Sequence, residues 1–415
     1  MKQATLIFFS LAVAILGIGQ EKSSPPPVRY SYFQMLYHTG VHWSRTEYLE
    51  EQYEDGYKAV EARFGFQSSG KKMWEQYSNY PRYGFGIHYA DLVADKEDTI
   101  VGNPFSAFVF YGAPRIRFGK FSLNTDLSLG LSYTSKVHDP ISNPFNDVIA
   151  SHINLYLDFN VNLSFTLSNR LDLQAGYGVT HYSNGRIHEP QKGVNNWGWN
   201  FGLSYHFVHP PQHPPQHPAQ IPVLNPAQIP AQNPVLNPEQ ENLKKRSSVR
   251  PVFIHSEAPE FNPFQEIQFM YAAGVVDHHP LGDLEGTHYY ASSFTADYVF
   301  TFHPRMAVTF GMDALYDGSL AEAIKGILPD EVTTLQKMYF GSHLGYHFYI
   351  NRVTILCNLG TYFLQHSNDR GYWFLRAGGR MRLTDHLQIH ICIKTKNGIR
   401  ADWIEWGLAY SLKIK

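Results

Sequence analysis

Residues 153–165 alternate without a break. Ile153, Leu155, Leu157, Phe159, Val161, Leu163 and Phe165 take the odd places, and Asn154, Tyr156, Asp158, Asn160, Asn162 and Ser164 the even ones. A period of two sends successive side chains to opposite faces of a strand, so this stretch predicts a strand with one apolar and one polar face. Soluble sheets use strands of about five or six residues, whereas about ten tilted residues cross a ~30 Å hydrocarbon layer. The pattern recurs at 121–133 and again where Trp197, Trp199, Phe201, Leu203, Tyr205 and Phe207 alternate with Gly198, Asn200, Gly202, Ser204 and His206. Soluble antiparallel sheets alternate too. Strand length and aromatic strand ends select a transmembrane barrel. Composition agrees, because 27 Tyr and 28 Phe accompany only 17% charged residues, against ~25% in a soluble domain.

About eight such segments fit between residues 31 and 207. An even count closes a barrel and returns the chain to its starting side, and eight strands leave an interior filled by side chains. The composition then breaks: a proline recurs about every fourth residue from Pro210 to Pro238, which removes ladder donors and predicts an extended linker. Its His209, His213 and His217 read as solvated linker residues. Past Pro251 alternation resumes in roughly eight more strands. The two halves end alike. Leu167-Ser168-Asn169-Arg170-Leu171 is echoed by Leu383-Thr384-Asp385-His386-Leu387, Asn184-Gly185 by Asn397-Gly398, and Phe201-Gly202-Leu203-Ser204-Tyr205 by Trp406-Gly407-Leu408-Ala409-Tyr410. The predicted fold class is all-β: two tandem eight-stranded transmembrane antiparallel β-barrels joined by a Pro-rich linker, with one sixteen-stranded barrel as the alternative.

The N-terminus predicts export. Lys2 precedes an apolar run to Ile18, and Gly17-Ile18-Gly19 places small residues where a signal peptidase reads. The expected parts are a signal peptide at 1–19, a first barrel at 20–208, a linker at 209–250 and a second barrel at 251–415. A net charge of −2 supplies no field for nucleic acid. Cys357 and Cys392 make neither a disulfide framework nor a four-cysteine zinc site, and neither metal nor organic cofactor is expected.

Chemistry concentrates after the seventh strand. Leu171, Leu173, Ala175, Tyr177 and Val179 hold its outward phase, and the next two outward positions are His181 and Ser183. Two residues apart on one face, imidazole and hydroxyl stand side by side. Asn195 opens the eighth strand in the same phase. Polar groups facing hydrocarbon cost several kcal/mol unless partnered. With a periplasmic N-terminus, the loop at 184–194 is extracellular, beside a leaflet that in Gram-negative bacteria is lipopolysaccharide with ester-linked acyl chains. A hydroxyl activated by histidine suits the cleavage of such esters.

His181-Tyr182-Ser183-Asn184, followed by Pro190, Gly193 and a last aromatic strand, resembles the outer-membrane lipid A 3-O-deacylase (PagL) family, acyloxyacyl hydrolase-like, best matched over residues 31–207. The resemblance implies an integral outer-membrane serine esterase acting on lipid A. Ser183 would be its nucleophile and His181 its base, with amides near Asn184 and Gly185 holding the oxyanion. The family's third member is a glutamate where this chain has Asn195. An asparagine carbonyl can fix the imidazole tautomer without stabilising imidazolium by charge, and Glu189 is a second candidate for that role. Arg186, His188 and Lys192 are candidates to pair with lipid A phosphates. Ser151-His152 also looks family-like, but the alternation points His152 inward, as a structural residue.

The second half offers no equivalent pair. One alignment sets Lys394 and Lys396 against His181 and Ser183, another Ile393 and Thr395, and His366-Ser367-Asn368 falls near a turn. The second barrel is expected to be non-catalytic. A rival reading is a non-enzymatic barrel for lipid binding or envelope structure, its site decayed. A pore fits least, because small barrels are filled.

Overall fold

Among the described residues, the alternating segments fold as sixteen antiparallel strands. The computed structural model describes residues 30–208 and 249–414, except 44–47, 50–55, 94–98, 191, 258, 279–285, 325–327 and 399. The expected signal peptide and nearly all of the expected linker lie outside the described residues.

The first barrel contains β1 (Tyr30–His42), β2 (Tyr57–Gln67), a short helix α1 (Met73–Tyr77), β3 (Arg82–Asp91), β4 (Phe105–Phe118), β5 (Phe121–Tyr133), β6 (Ile153–Thr166), β7 (Leu171–Ser183) and β8 (Val194–His206). Each strand pairs with the next, and β8 closes on β1. The second barrel contains β9 (Phe264–His278), β10 (Thr287–His303), β11 (Met306–Asp317), α2 (Leu320–Ala323), β12 (Met338–Ile350), β13 (Val353–Leu364), β14 (Trp373–Arg382), β15 (Leu387–Lys396) and β16 (Arg400–Ile414). It closes through β16 on β9. Because β8 bonds to β1 and not to β9, the chain forms two barrels, and the sixteen-stranded alternative falls.

Both interiors are filled. In the first, Arg63 pairs with Glu61 and, at 3.1 Å, with Asp126, while Asn124, Asn160, Asn162 and Asn200 extend the polar network. In the second, Arg376 binds Glu405 at 2.7 Å and Asp313 at 2.8 Å, and Lys394 binds Asp402 at 2.6 Å under the Trp403 ring. The walls carry the opposite phase: Trp197, Trp199, Phe201, Leu203 and Tyr205 point outward and are exposed. No described helix is long and apolar enough to span a membrane; these barrels present apolar bands instead.

Short turns at 119–120, 167–170, 304–305, 351–352 and 383–386 gather at one rim together with the helix-bearing connection at 68–81, and most of the longer loops lie at the other. That asymmetry is the expected one for periplasmic turns and extracellular loops. The sequence echoes are echoes of hydrogen bonding. The Leu167 and Ser168 N–H groups both donate to the Leu171 carbonyl, and the Leu383 and Thr384 N–H groups to the Leu387 carbonyl; the Ser168 and Thr384 hydroxyls accept from the two N–H groups that follow the turn.

The alternation misplaces one residue. His152 is exposed, stacked 5.7 Å from Tyr133 with its Nδ1 2.8 Å from the Thr134 carbonyl oxygen. It precedes the first residue of β6, so the strand's phase does not govern it and the expected inward orientation is corrected.

Candidate active site

Register assembles the site. On β7, His181 lies opposite Leu157 of β6 and Asn195 of β8, and Ser183 lies opposite Leu155. His181 and Ser183 therefore share the outward face, with leucines beside them. The His181 Nδ1 is 2.6 Å from the Asn195 side-chain oxygen. An amide oxygen only accepts, so Nδ1 carries the proton and Nε2 is left as the basic nitrogen. The Ser183 hydroxyl accepts from the Gly185 N–H at 3.1 Å; among the described residues, no hydrogen bond joins it to His181. Both side chains frame Gly193, where an added Cβ would stand 3.1 Å from His181 Cε1 and 3.6 Å from Ser183 Cβ. Gly193 also sits at φ +73°, a conformation that disfavours any side chain.

The loop between β7 and β8 bends back over Ser183, which is buried although it follows the outward phase. Gly185 and Arg186 take φ of +65° and +70°, and the Glu189–Pro190 peptide is cis. Asn184 braces the turn: its Nδ2 donates to Ser151 Oγ at 3.0 Å and to the His188 carbonyl at 3.1 Å, and its Oδ1 accepts from the Arg186 N–H at 2.9 Å. Glu189 does not meet His181, because its carboxylate accepts from Arg186 Nε at 2.6 Å. Arg186 is buried and also faces Asp402 of the second barrel at 3.7 Å. Lys192 pairs with Asp147. Of the three residues expected to meet lipid phosphates, Arg186 and Lys192 are thus paired within the protein, Arg186 buried and Lys192 still exposed along its side chain.

Sequence reasoning missed the contribution of the second barrel. The Glu189 N–H donates to Asp277 Oδ2 at 2.9 Å, and the Asp277 N–H to the Arg186 carbonyl at 3.4 Å. Gly185 lies against Ile404, whose Cδ1 would be 2.5 Å from an added Cβ. Nothing in local periodicity announces Asp277, Asp402 or Ile404, since they reach the loop only through the docking of one barrel on the other. Ser151 had a signal, the family-like Ser151-His152 pair. Lys394, set against His181 by one alignment, points into the second lumen and pairs with Asp402. Ser367 caps a short turn by accepting from the Asp369 N–H at 3.2 Å.

Chemically, the arrangement offers an oriented imidazole, a hydroxyl on the same face and a backbone N–H already aimed at that hydroxyl, at the rim of an apolar wall. No curated protein matches the chain. Among solved structures, Neisserial surface protein A is 12% identical over 43% of this chain and 97% of its own, with a TM-score of 0.30. The outer membrane enzyme PagL is 14% identical over 41% of this chain and 97% of its own, with a TM-score of 0.28. The model of the lipid A 3-O-deacylase (PagL) family matches residues 31–204, and that of the acyloxyacyl hydrolase C-terminal domain matches residues 265–414. Each match spans one barrel: the first barrel is similar to the lipid A 3-O-deacylase (PagL) family, and the second to the acyloxyacyl hydrolase C-terminal domain.

Proposed function

We propose that this protein is a serine esterase that hydrolyses an acyl ester of lipid A from within the outer membrane. The chain is an integral outer-membrane barrel protein whose first barrel is matched by the model of a lipid A deacylase family, and the reading rests above all on the 2.6 Å contact between His181 Nδ1 and Asn195. That contact directs the basic Nε2 away from β8, on the face that carries Ser183. In the reaction, Ser183 Oγ attacks the ester carbonyl carbon while its proton passes to His181 Nε2. The tetrahedral intermediate collapses, the sugar oxygen leaves with that proton, and water then releases the fatty acid from the acyl-serine by the same route. The Gly185 N–H, now on Ser183 Oγ, is placed to donate to the oxyanion once the hydroxyl turns toward the imidazole. Catalytic hydrogen bonds of this kind commonly tighten only when substrate is bound. The membrane supplies the substrate laterally, so no lipid need be extracted.

Asn195 in the family's glutamate position, and a Ser183 hydroxyl engaged by an amide, favour one other reading: a lipid-binding barrel with a decayed site. Mass spectrometry of lipid A from cells expressing the wild type or Ser183→Ala separates them. Loss of one acyl chain is expected with the wild type, and a drop of at least ~10³-fold in that conversion with Ser183→Ala. An acyl pattern left unchanged by the wild type removes the esterase reading.

A further inference from the structure

Among the described residues, two clusters of metal-ligating side chains stand outside the candidate catalytic groups. His38, Glu61 and His88 lie in the first lumen, but Glu61 is already bound by the Arg63 guanidinium, a fixed cation that opposes a second one. The other cluster joins the barrels: His188 from the loop between β7 and β8, Asp277 near the end of β9 and His288 near the start of β10. We propose that these three residues form a site for a divalent transition-metal ion of the zinc class, which clamps the loop of the first barrel onto the second.

Geometry carries the proposal. One ligand atom from each residue lies within 4.8 Å of the others. Three donors about 2.1 Å from a tetrahedral zinc are roughly 3.4 Å apart, so side-chain rotations of the order of 1 Å close the set. Two of the donors are fixed by register, because Asp277 and His288 are direct cross-strand partners. The third is delivered by the loop. The Asn184 side chain holds the His188 carbonyl at 3.1 Å, and the next residue, Glu189, donates its N–H to Asp277 Oδ2 at 2.9 Å. A carboxylate has two oxygens, so it can accept that bond and ligate at once. The His188 and His288 rings are 5.3 Å apart at their centroids, edge to face.

The donor set chooses the metal. Two imidazoles and one carboxylate suit zinc and its neighbours, whereas calcium and magnesium take oxygen ligands. A fourth position is left for water or for an oxyanion at the membrane surface. The ligands come from residues 188, 277 and 288, with no motif spacing, which is why the sequence predicted no metal.

Zinc binding is measured on the full mature chain in detergent micelles, by calorimetry with zinc chloride and by the visible spectrum with cobalt chloride. One ion per chain and a tetrahedral cobalt spectrum are expected. His188→Ala and His288→Ala should each weaken binding by at least roughly tenfold, with heat-modifiable gel migration confirming that the variants are folded. A triple His209→Ala, His213→Ala, His217→Ala variant controls for the linker histidines and should bind as the wild type does. Absence of binding, unchanged affinity in the His188 and His288 variants, or loss of binding in the linker variant overturns the proposal. None of these readouts depends on hydrolysis, so the site and the esterase reading fail separately.

Discussion

At the scale of single residues, the proposed hydrolysis turns on Asn195. Its carbonyl oxygen does half of what a glutamate does: it holds the Nδ1 proton and so fixes the tautomer, but it would bring no negative charge to the imidazolium formed in the proposed deprotonation of Ser183. Exchanging an orienting acid for its amide costs up to ~10⁴ in rate when the wrong tautomer results. Here the oxygen faces the ring, so a smaller deficit is expected. Asn195→Glu should therefore raise the turnover of lipid A by roughly 10- to 100-fold. Asn195→Leu should lower it by a similar factor, because the imidazole loses its orienting acceptor. Turnover measured in mixed micelles with all three proteins checks this, and equal rates for Asn195→Leu and the wild type would remove Asn195 from the site.

At the scale of elements, each strand is stabilised on two faces by different physics. The outward face needs only to be apolar. The inward face must neutralise every charge it buries, and removing one partner of a buried pair leaves the other uncompensated. Arg376→Met, which strands Glu405 and Asp313 in the second lumen, should cost about 3–5 kcal/mol. Lys192→Ala, which breaks an exposed pair with Asp147, should cost no more than ~1 kcal/mol. Urea midpoints of the micellar protein, followed by heat-modifiable migration, compare the two; an Arg376→Met midpoint equal to the wild type would show that the network contributes little. The strands were legible in the sequence for the same reason that they are stable. A period of two sustained through Ile153 and Phe165 leaves one arrangement that satisfies lipid and lumen together. The alternation ceases to inform where the strand stops, so His152 was assigned inward one residue before β6 and in fact stacks outside on Tyr133. His181, Ser183 and Asn195 could be placed on one face from phase alone. The partners of Arg186 and Glu189 could not, because Asp402 and Asp277 are distant in sequence and belong to another barrel.

At the scale of the molecule, the two barrels have little hydrophobic reason to associate within a bilayer, where lipid tails match an apolar wall. The polar contacts lie at the rims. At the outer rim Arg186 meets Asp402 and Glu189 meets Asp277. At the inner rim Arg305 donates to the Tyr77 carbonyl. Residues 249–256 run as a strap against the first barrel: Arg250 grips Asp172 at 2.7 and 3.2 Å, the Ile254 N–H donates to the Ser69 carbonyl at 2.8 Å, and Tyr80 packs on Phe253 at 4.4 Å. A protease site inserted near residue 225 cuts upstream of that strap, which stays covalently joined to the second barrel and docked on the first. The cut halves should therefore co-purify in mild detergent. Arg250→Ala removes two charge-assisted hydrogen bonds to one buried carboxylate, about 1.5–3 kcal/mol each. In the uncut chain the tether's effective concentration, on the order of millimolar, hides the loss. After cleavage nothing does, and the halves of the Arg250→Ala protein should separate on dilution while those of the wild type remain together. If the wild-type halves part as readily, the strap is passive and the rims alone do not hold the barrels.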